Sequence, residues 1–319
     1  MSTPGAGHRP VLLERVLTLL APALDRNGTV LVDATLGRAG HARALLDAHP
    51  GLVLIGLDTD AAAVEASRRL LARYADRVTV VRAVFDQVAD VLNDRGHSAA
   101  DAFLFDLGVS SPQLDEPERG FAYSYDAPLD MRMDQSQSLT AAEVLNTYPA
   151  PRLRRVLRDY GEEKFARQIA DAVVRERSRA PLTTTAQLTE IIRASIPAPA
   201  RRSGGHPAKR TFQALRIEVN GELDALERAL PAAVDALALG GRVVVLAYHS
   251  LEDRVVKRTL AARAVDTTPR GLPVTLAGAG PQLQLLTKGA ERPSAAEVEV
   301  NPRAASARLR AAMRIREAA

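Results

Sequence analysis

The sequence predicts an α/β protein: a parallel sheet with helices on both faces, carrying an inserted all-helical domain. Three observations predict it. Short apolar runs alternate with amphipathic stretches through the first hundred residues, the pattern of strand–helix–strand units. Several of these runs finish at an acid, Asp58 and Asp106 among them. After roughly a hundred residues of helical pattern, enough for a small domain, the buried-strand run GGRVVVLAYH (Gly240–His249) resumes the α/β pattern.

The elements follow in order. Thr29–Leu36 (TVLVDATL) reads as a buried strand and His41–Ala48 as a short helix. Leu52–Leu57 (LVLIGL) is a second strand, followed by an amphipathic helix, Ala61–Tyr74, with Val64, Leu70 and Leu71 near one face. Val78–Val84 and Ala102–Leu107 are the third and fourth strands. From Gln113 to Met133 the chain is rich in Pro, Asp, Gly and Tyr and reads as an ordered loop. Helices are expected at Ala141–Asn146, Pro151–Asp159, Glu163–Arg177 and Thr185–Ser195, before the turn-rich stretch Ala198–Arg210. Thr211–Leu230 reads as one long helix, and residues 263–300 as irregular loop. The closing SARLRAAMRI fits an edge strand or a helix. These readings divide the chain into a core (1–114), a helical insertion (115–210) and a returning core (211–319).

Composition limits the chemistry. Aromatics make up only 4% of the 319 residues, with no Trp, so aliphatic side chains must fill the core. There is no cysteine, which excludes disulfides, thiolate metal sites and a cysteine nucleophile and fits a reducing cytoplasm. MSTPGAGHRP lacks a charged-then-apolar signal pattern and no run approaches a membrane span, so a cytoplasmic protein without a membrane partner is expected. Net charge is +4, but Arg152–Arg216 alone holds 15 Arg and Lys against 6 Asp and Glu. A basic block on a mildly acidic body suits a polyanionic partner, or a solvated arginine-rich surface.

The stretch DATLGRAGH (Asp33–His41) follows the first strand. Its glycines, Gly37 and Gly40, break the G-x-G-x-x-G spacing of a dinucleotide fingerprint, and no G-K-[ST] phosphate loop is present. What remains is a tight turn beside an acid, Asp33. Asp58, at the end of the second strand, can accept two hydrogen bonds from vicinal ribose hydroxyls. An acidic loop suits a cationic, amino-bearing ligand better than a dianion, which favours S-adenosylmethionine over NAD. Asp106, at the end of the fourth strand, lies beside the same crevice if ligands bind beyond the carboxyl ends of the strands. Phe85, past the third strand, can face an adenine ring or the core.

Longer blocks point to one family. HRPVLLERV (His8–Val16), DATLGRAGH, GLDTD (Gly56–Asp60), DLGVSSPQLDEPERGF (Asp106–Phe121) and PLDMRMD (Pro128–Asp134) occur in order. YGEEKFARQIA (Tyr160–Ala170), HPAKRTFQALRIEVNGEL (His206–Leu223) and HSLEDRVVK (His249–Lys257) follow. Together they closely resemble the MraW family, the bacterial ribosomal small-subunit methyltransferases H. The resemblance implies a class I S-adenosylmethionine-dependent (Rossmann-like) methyltransferase sheet with a helical insertion. It implies methylation of the N4 amino group of one cytidine in the decoding region of 16S rRNA, within the small ribosomal subunit. It carries cofactor contacts onto Ala39, Gly40, His41, Asp58, Phe85, Asp106 and Gln113, beside Asp33 and Gly37 from the loop itself. Ala39 departs from the pattern, since related sequences often carry glycine there.

Methyl transfer to an aromatic amine needs orientation and an acceptor for the N–H as positive charge grows on nitrogen. Many amino-methyltransferases use Asp/Asn-Pro-Pro-aromatic after the fourth strand; this chain has Asp106-Leu-Gly-Val-Ser-Ser-Pro. Asp106, or a backbone carbonyl of Leu107–Ser110, is the expected acceptor. No metal is required. His249, after the fifth strand, either borders the substrate pocket or is a hydrogen-bonded strand-end histidine. Arg201, Arg202, Lys209 and Arg210 are candidate RNA contacts, and Phe121, Tyr123 and Tyr125 candidate base-stacking groups or packing residues. Two rivals stand beside this reading, an NAD-dependent oxidoreductase and a non-catalytic RNA-binding protein.

Overall fold

The computed structural model describes residues 10–201, 206–266, 268 and 279–316, with the side chains of Ser111, Pro112 and Arg201 also outside the description. The chain divides into two compact units, one of residues up to Gly108 and from Leu223 onward, the other Val109–Glu222. The expected insertion, 115–210, falls inside the second.

The first unit holds a seven-stranded sheet. Its strands are β1 (Val30–Asp33), β2 (Val53–Asp58), β3 (Val78–Arg82), β4 (Ala100–Asp106), β5 (Leu237–Ala247), β6 (Leu283–Leu285) and β7 (Arg308–Arg314), in the order β3-β2-β1-β4-β5-β7-β6. β1 to β5 run parallel to one another, whereas β7 pairs antiparallel with both β5 and β6. The sheet is therefore mixed, not wholly parallel. The C-terminal stretch is a strand, and β6 rather than β7 takes the edge. β6 and the helix Ala295–Val300 also interrupt the irregular loop expected over 263–300; three residues are too few for a periodic signal.

Successive side chains point to opposite faces of each strand, and the core divides accordingly. Val30, Val32, Ile55, Phe103, Phe105, Val243 and Val245 pack on one face. Leu31, Leu54, Ala102, Leu104, Val244 and Leu246 pack on the other. Both faces are buried, which is why these strands read as unbroken apolar runs. The helix Leu13–Leu24, not foreseen from the sequence, covers the second face with Val16, Leu19, Leu20 and Leu24. It contains Pro22 and begins after Leu12, a left-handed residue at φ 52° with no side-chain cap, so the usual helix-start signals are missing.

The second unit is helical: Ala141–Thr147, Ala150–Gly161, Ala166–Arg177, Thr185–Ser195 and Lys209–Asn220 bury Leu145, Leu157, Ile169, Leu188, Ile192 and Leu215 together. Thr140 and Thr184 cap two of these helices by accepting from Glu143 N and Gln187 N. The ordered loop expected over 113–133 includes the end of a short helix, Ser111–Asp115, and a single turn, Pro117–Arg119. Arg119 is buried, and its guanidinium donates to the carbonyls of Arg132 and Met133.

The helix expected over Thr211–Leu230 is two helices, Lys209–Asn220 and Glu222–Asp235, broken at Gly221 with φ +60°. Glycine adopts that conformation at little cost. Asn220, just before the break, accepts from Met133 N (2.7 Å) and donates to the Met131 carbonyl (2.8 Å). The blocks PLDMRMD and NGEL are thereby tied to each other.

Candidate active site

The carboxyl ends of β1, β2 and β4 bring most of the expected site residues into the first unit. Their spacing is set by loop hydrogen bonds that extend the strand register: Ala34 N donates to Leu104 O and Leu36 N to Leu57 O, at 2.9 and 2.8 Å. Asp33 ends β1, and with 2% exposure its carboxyl is nearly cut off from water. Burial pushes its pKa up to about 7; the neighbouring His41 and a hydrogen bond from Thr35 N oppose the rise, and Asp106 and Asp58 add to it.

Gly37 and Ala39 both adopt left-handed backbone, at φ 53° and 55°. The turn they make aims Gly37 N at Asp58 Oδ2, 2.8 Å away, while Ser67 Oγ donates to Gly37 O at 2.6 Å. Ala39 is the one non-glycine in that turn with positive φ, and the conformation costs an L-residue about 1–2 kcal/mol. A glycine there would adopt the same backbone without that cost. Gly40 opens the helix Gly40–Ala48, and a Cβ on it would come within 2.6 Å of Pro10 Cγ. Close packing of the N-terminal segment thus requires glycine there.

Asp58 is half-buried at the end of β2. Its Oδ2 accepts from Gly37 N and its Oδ1 from Asp60 N, both at 2.8 Å. Each carboxylate oxygen has two lone-pair sites, so acceptor capacity remains for a ribose hydroxyl beside the backbone bonds from Gly37, Asp60 and Thr59. Burial raises this pKa to about 6, against the hydrogen bonds from Asp60 N and Gly37 N. Phe85 is half-buried past β3 and meets Phe105 edge-to-face, with centroids 6.3 Å apart at 88°. It packs against the core and keeps part of its surface open.

Asp106 ends β4. Its amide N donates to Thr35 Oγ1 at 2.6 Å, and its Oδ1 accepts from Tyr248 Oη at 2.7 Å. Its Oδ2 lies 3.4 Å from His41 Nε2. His41 is 5% exposed, yet neither ring nitrogen has a hydrogen-bond partner. Burying unpaired nitrogens is costly, and this ring sits beside the carboxyls of Asp33 and Asp106. The arrangement offers acceptors to a cation and a donor to an anion, the complement of an amino-acid tail.

Sequence reasoning missed two members. Thr35 lies inside the quoted loop, but only the β1–β4 register shows that its hydroxyl meets Asp106. Tyr248 stands beside His249 at the end of β5, where a strand-end polar residue was a usable signal.

His249 takes the second of its two expected readings. Its side chain accepts from Glu252 N, capping the helix Ser250–Arg263, and Nε2 lies 3.0 Å from Glu252 Oε1.

The other expected residues lie in the second unit. Gln113 is buried there, and its Oε1 accepts from Ser110 N at 2.9 Å. Phe121 is buried, and Tyr123 stacks on His206 at 4.3 Å and meets Phe212 edge-on. Both serve packing, whereas the Tyr125 ring is 54% exposed. Lys209 and Arg210 are exposed at the start of Lys209–Asn220. The Arg201 side chain and all of Arg202, like His8, lie outside the described residues.

The profile of the MraW methylase family matches residues 5–315. A ribosomal RNA small subunit methyltransferase H from Thermobifida fusca (strain YX) is 61% identical over 315 residues, covering 99% of this chain and 96% of that protein. One from Salinispora tropica is 64% identical over 312 residues, covering 97% and 84%. Among solved structures, an rRNA methylase from Streptococcus thermophilus has a TM-score of 0.43 at 11% identity, covering 98% of this chain and all of that one, a likeness too loose to argue from. The family match spans nearly the whole sequence, and the turn after β1 is acidic with no phosphate-loop lysine. The chain belongs to the MraW methylase family and is an S-adenosylmethionine-dependent methyltransferase.

Proposed function

We propose that this protein methylates small-subunit ribosomal RNA at the N4 amino group of a cytidine in the decoding region of 16S rRNA. The substrate class follows the names of relatives 61–64% identical over nearly the full chain. The observation that supports an amine as acceptor is Asp106 at the end of β4, with Oδ1 bound by Tyr248 and Oδ2 turned toward His41.

In this reading Asp33 and His41 hold the amino-acid end of S-adenosylmethionine, Asp58 its ribose hydroxyls and Phe85 its adenine. Gly37, Ala39 and Gly40 let backbone come close, and Gln113 completes the set. When bound, the cofactor supplies an electrophilic methyl group on a sulfonium. The protein's own work is orientation and charge. Asp106 accepts a hydrogen bond from the amine N–H, which localises the nitrogen lone pair and stabilises the positive charge growing on nitrogen. The partly buried, acidic surroundings strengthen that interaction beyond its value in water. The target base must be unpaired or turned out of its stack to reach this crevice. Lys209, Arg210, Arg201 and Arg202 grip phosphates within the small-subunit RNA, and the bound partner is rRNA in its ribosomal setting.

Asp106→Ala tests the assignment. The expected result is S-adenosylmethionine binding within a few-fold of wild type and turnover lowered at least a hundredfold. Loss of cofactor binding instead assigns Asp106 to holding the cofactor. Retained turnover removes it from catalysis.

A further inference from the structure

Tyr248 has no part in the expected site, yet its hydroxyl donates directly to the Asp106 carboxylate. We propose that Tyr248 is a positioning residue for methyl transfer, fixing the Asp106 carboxylate so that Oδ2 is the oxygen presented to the acceptor amine. The proposal rests on the reading of Asp106 as the N–H acceptor.

The phenol is held at both ends. Tyr248 follows β5 directly, and its backbone N donates to Glu252 Oε2 at 2.7 Å. Glu252 is buried and belongs to the capping box of Ser250–Arg263, so this end of the residue is tied to a helix start. Beside the ring is Gly108, at φ +92°, where a Cβ would lie 3.3 Å from Tyr248 Cδ2. At the far end Oη donates to Asp106 Oδ1 at 2.7 Å. Burial, and then the Asp106 charge, raise the phenol well above its ordinary pKa. The hydroxyl therefore keeps its proton and remains a donor.

Asp106 is fixed in two places. Thr35 Oγ1 holds its backbone N and Tyr248 holds its head. With one lone pair of Oδ1 taken by Tyr248, Oδ2 is the oxygen with the greater acceptor capacity for a substrate. The proton leaving the amine goes to that atom, its bond pair staying on nitrogen. The other ionisable groups around the pair are His41, 3.4 Å from Oδ2 on the helix Gly40–Ala48, and Asp33 at the end of β1. Glu252 and Glu297 act on Tyr248 from the β5 side and the C-terminal segment.

The test is Tyr248→Phe, which keeps the ring against Gly108 and removes only the hydroxyl. The expected outcome is a cofactor Kd within twofold of wild type and kcat lowered about tenfold, the loss of one hydrogen bond to a charged group. The loss falls on kcat, with the KM for small-subunit RNA within twofold of wild type. A cofactor-free readout accompanies it. In protein labelled at the aspartate side-chain carboxyl carbons, the Asp106 resonance, assigned by its absence in Asp106→Asn, moves in Tyr248→Phe while the other aspartate resonances stay in place. An Asp106 resonance unmoved by the substitution, or a kcat within twofold of wild type, overturns the proposal. Asp106→Asn separates the two readings. Wild-type turnover in that variant removes the role of Asp106 itself. An inactive Asp106→Asn beside a Tyr248→Phe of wild-type rate removes only the role of Tyr248.

Discussion

Gly37 N donates to Asp58 Oδ2 across 2.8 Å, joining the turn after β1 to the end of β2, 21 residues further along. This bond holds the left-handed turn against the neighbouring strand and leaves the second lone pair of Oδ2 for a ligand. Asp58→Asn replaces one of the two oxygens with an amide that cannot accept. S-adenosylmethionine affinity is expected to fall by about 1.5–3 kcal/mol, roughly 10- to 100-fold, by isothermal titration. An affinity within twofold of wild type separates Asp58 from the ligand.

Asp33 sets a pH dependence whose sign is fixed. Its folded pKa, raised to about 7 from an ordinary 3.8, means the folded state holds a proton that the unfolded chain releases near pH 4. Stability is therefore lost as pH rises from about 4 to 7, and the cost of the buried charge is complete above 7. Asp33→Asn lacks this term. Without ligand it should be more stable than wild type by about 2–4 kcal/mol at pH 8 in urea unfolding, the gap closing toward pH 5. The same variant should bind S-adenosylmethionine more weakly. Equal stabilities at both pH values contradict a buried Asp33 carboxyl.

Ala39→Gly relieves a backbone at φ 55° at the cost of a more flexible unfolded chain. The balance is expected between neutral and about 1 kcal/mol of added stability. Ala39→Val is expected to lose more than 1 kcal/mol, since a β-branched side chain tolerates that region poorly. A Val variant as stable as wild type contradicts the left-handed turn.

Lys209 and Arg210 are exposed at the start of their helix. If both contact phosphates, replacing them with Ala reduces the slope of log Kobs against log salt by about two for small-subunit RNA. An unchanged slope moves the footprint elsewhere on the basic block.

Much of this site was legible because its signals are local. The β1 and β2 strands ended at acids, the turn between them held the glycines, and the expected limits of Ala61–Tyr74 differ from those found only where a single tighter turn, Ala72–Tyr74, follows the helix. Gly221 was legible as well: Asn-Gly is a helix-stop signal, outweighed in the reading by the apolar periodicity on either side. Other features are not local. Tyr248 meets Asp106 across 142 residues, and nothing near either position in sequence announces the pair. The helix Leu13–Leu24 starts at a strained leucine without a cap, and β6 is three residues long. The three-residue strand owes its existence to tertiary packing, whereas the helix carries an apolar stripe at Val16, Leu19, Leu20 and Leu24 that was legible and lacked only a start signal. His249 could be read as a pocket residue or as a hydrogen-bonded strand-end histidine, and its side chain, spent on a helix cap, is the second.

The central claim is methyl transfer to one exocyclic amine of small-subunit RNA, and one measurement tests it directly. Small subunits from a strain lacking the enzyme are incubated with the protein and methyl-tritiated S-adenosylmethionine, and the labelled nucleoside is identified after complete digestion. The expected product is N4-methylcytidine carrying about one tritiated methyl per subunit, mapped to the decoding region. Label on a ring carbon, on a ribose or on another base, or no label at all, contradicts the account.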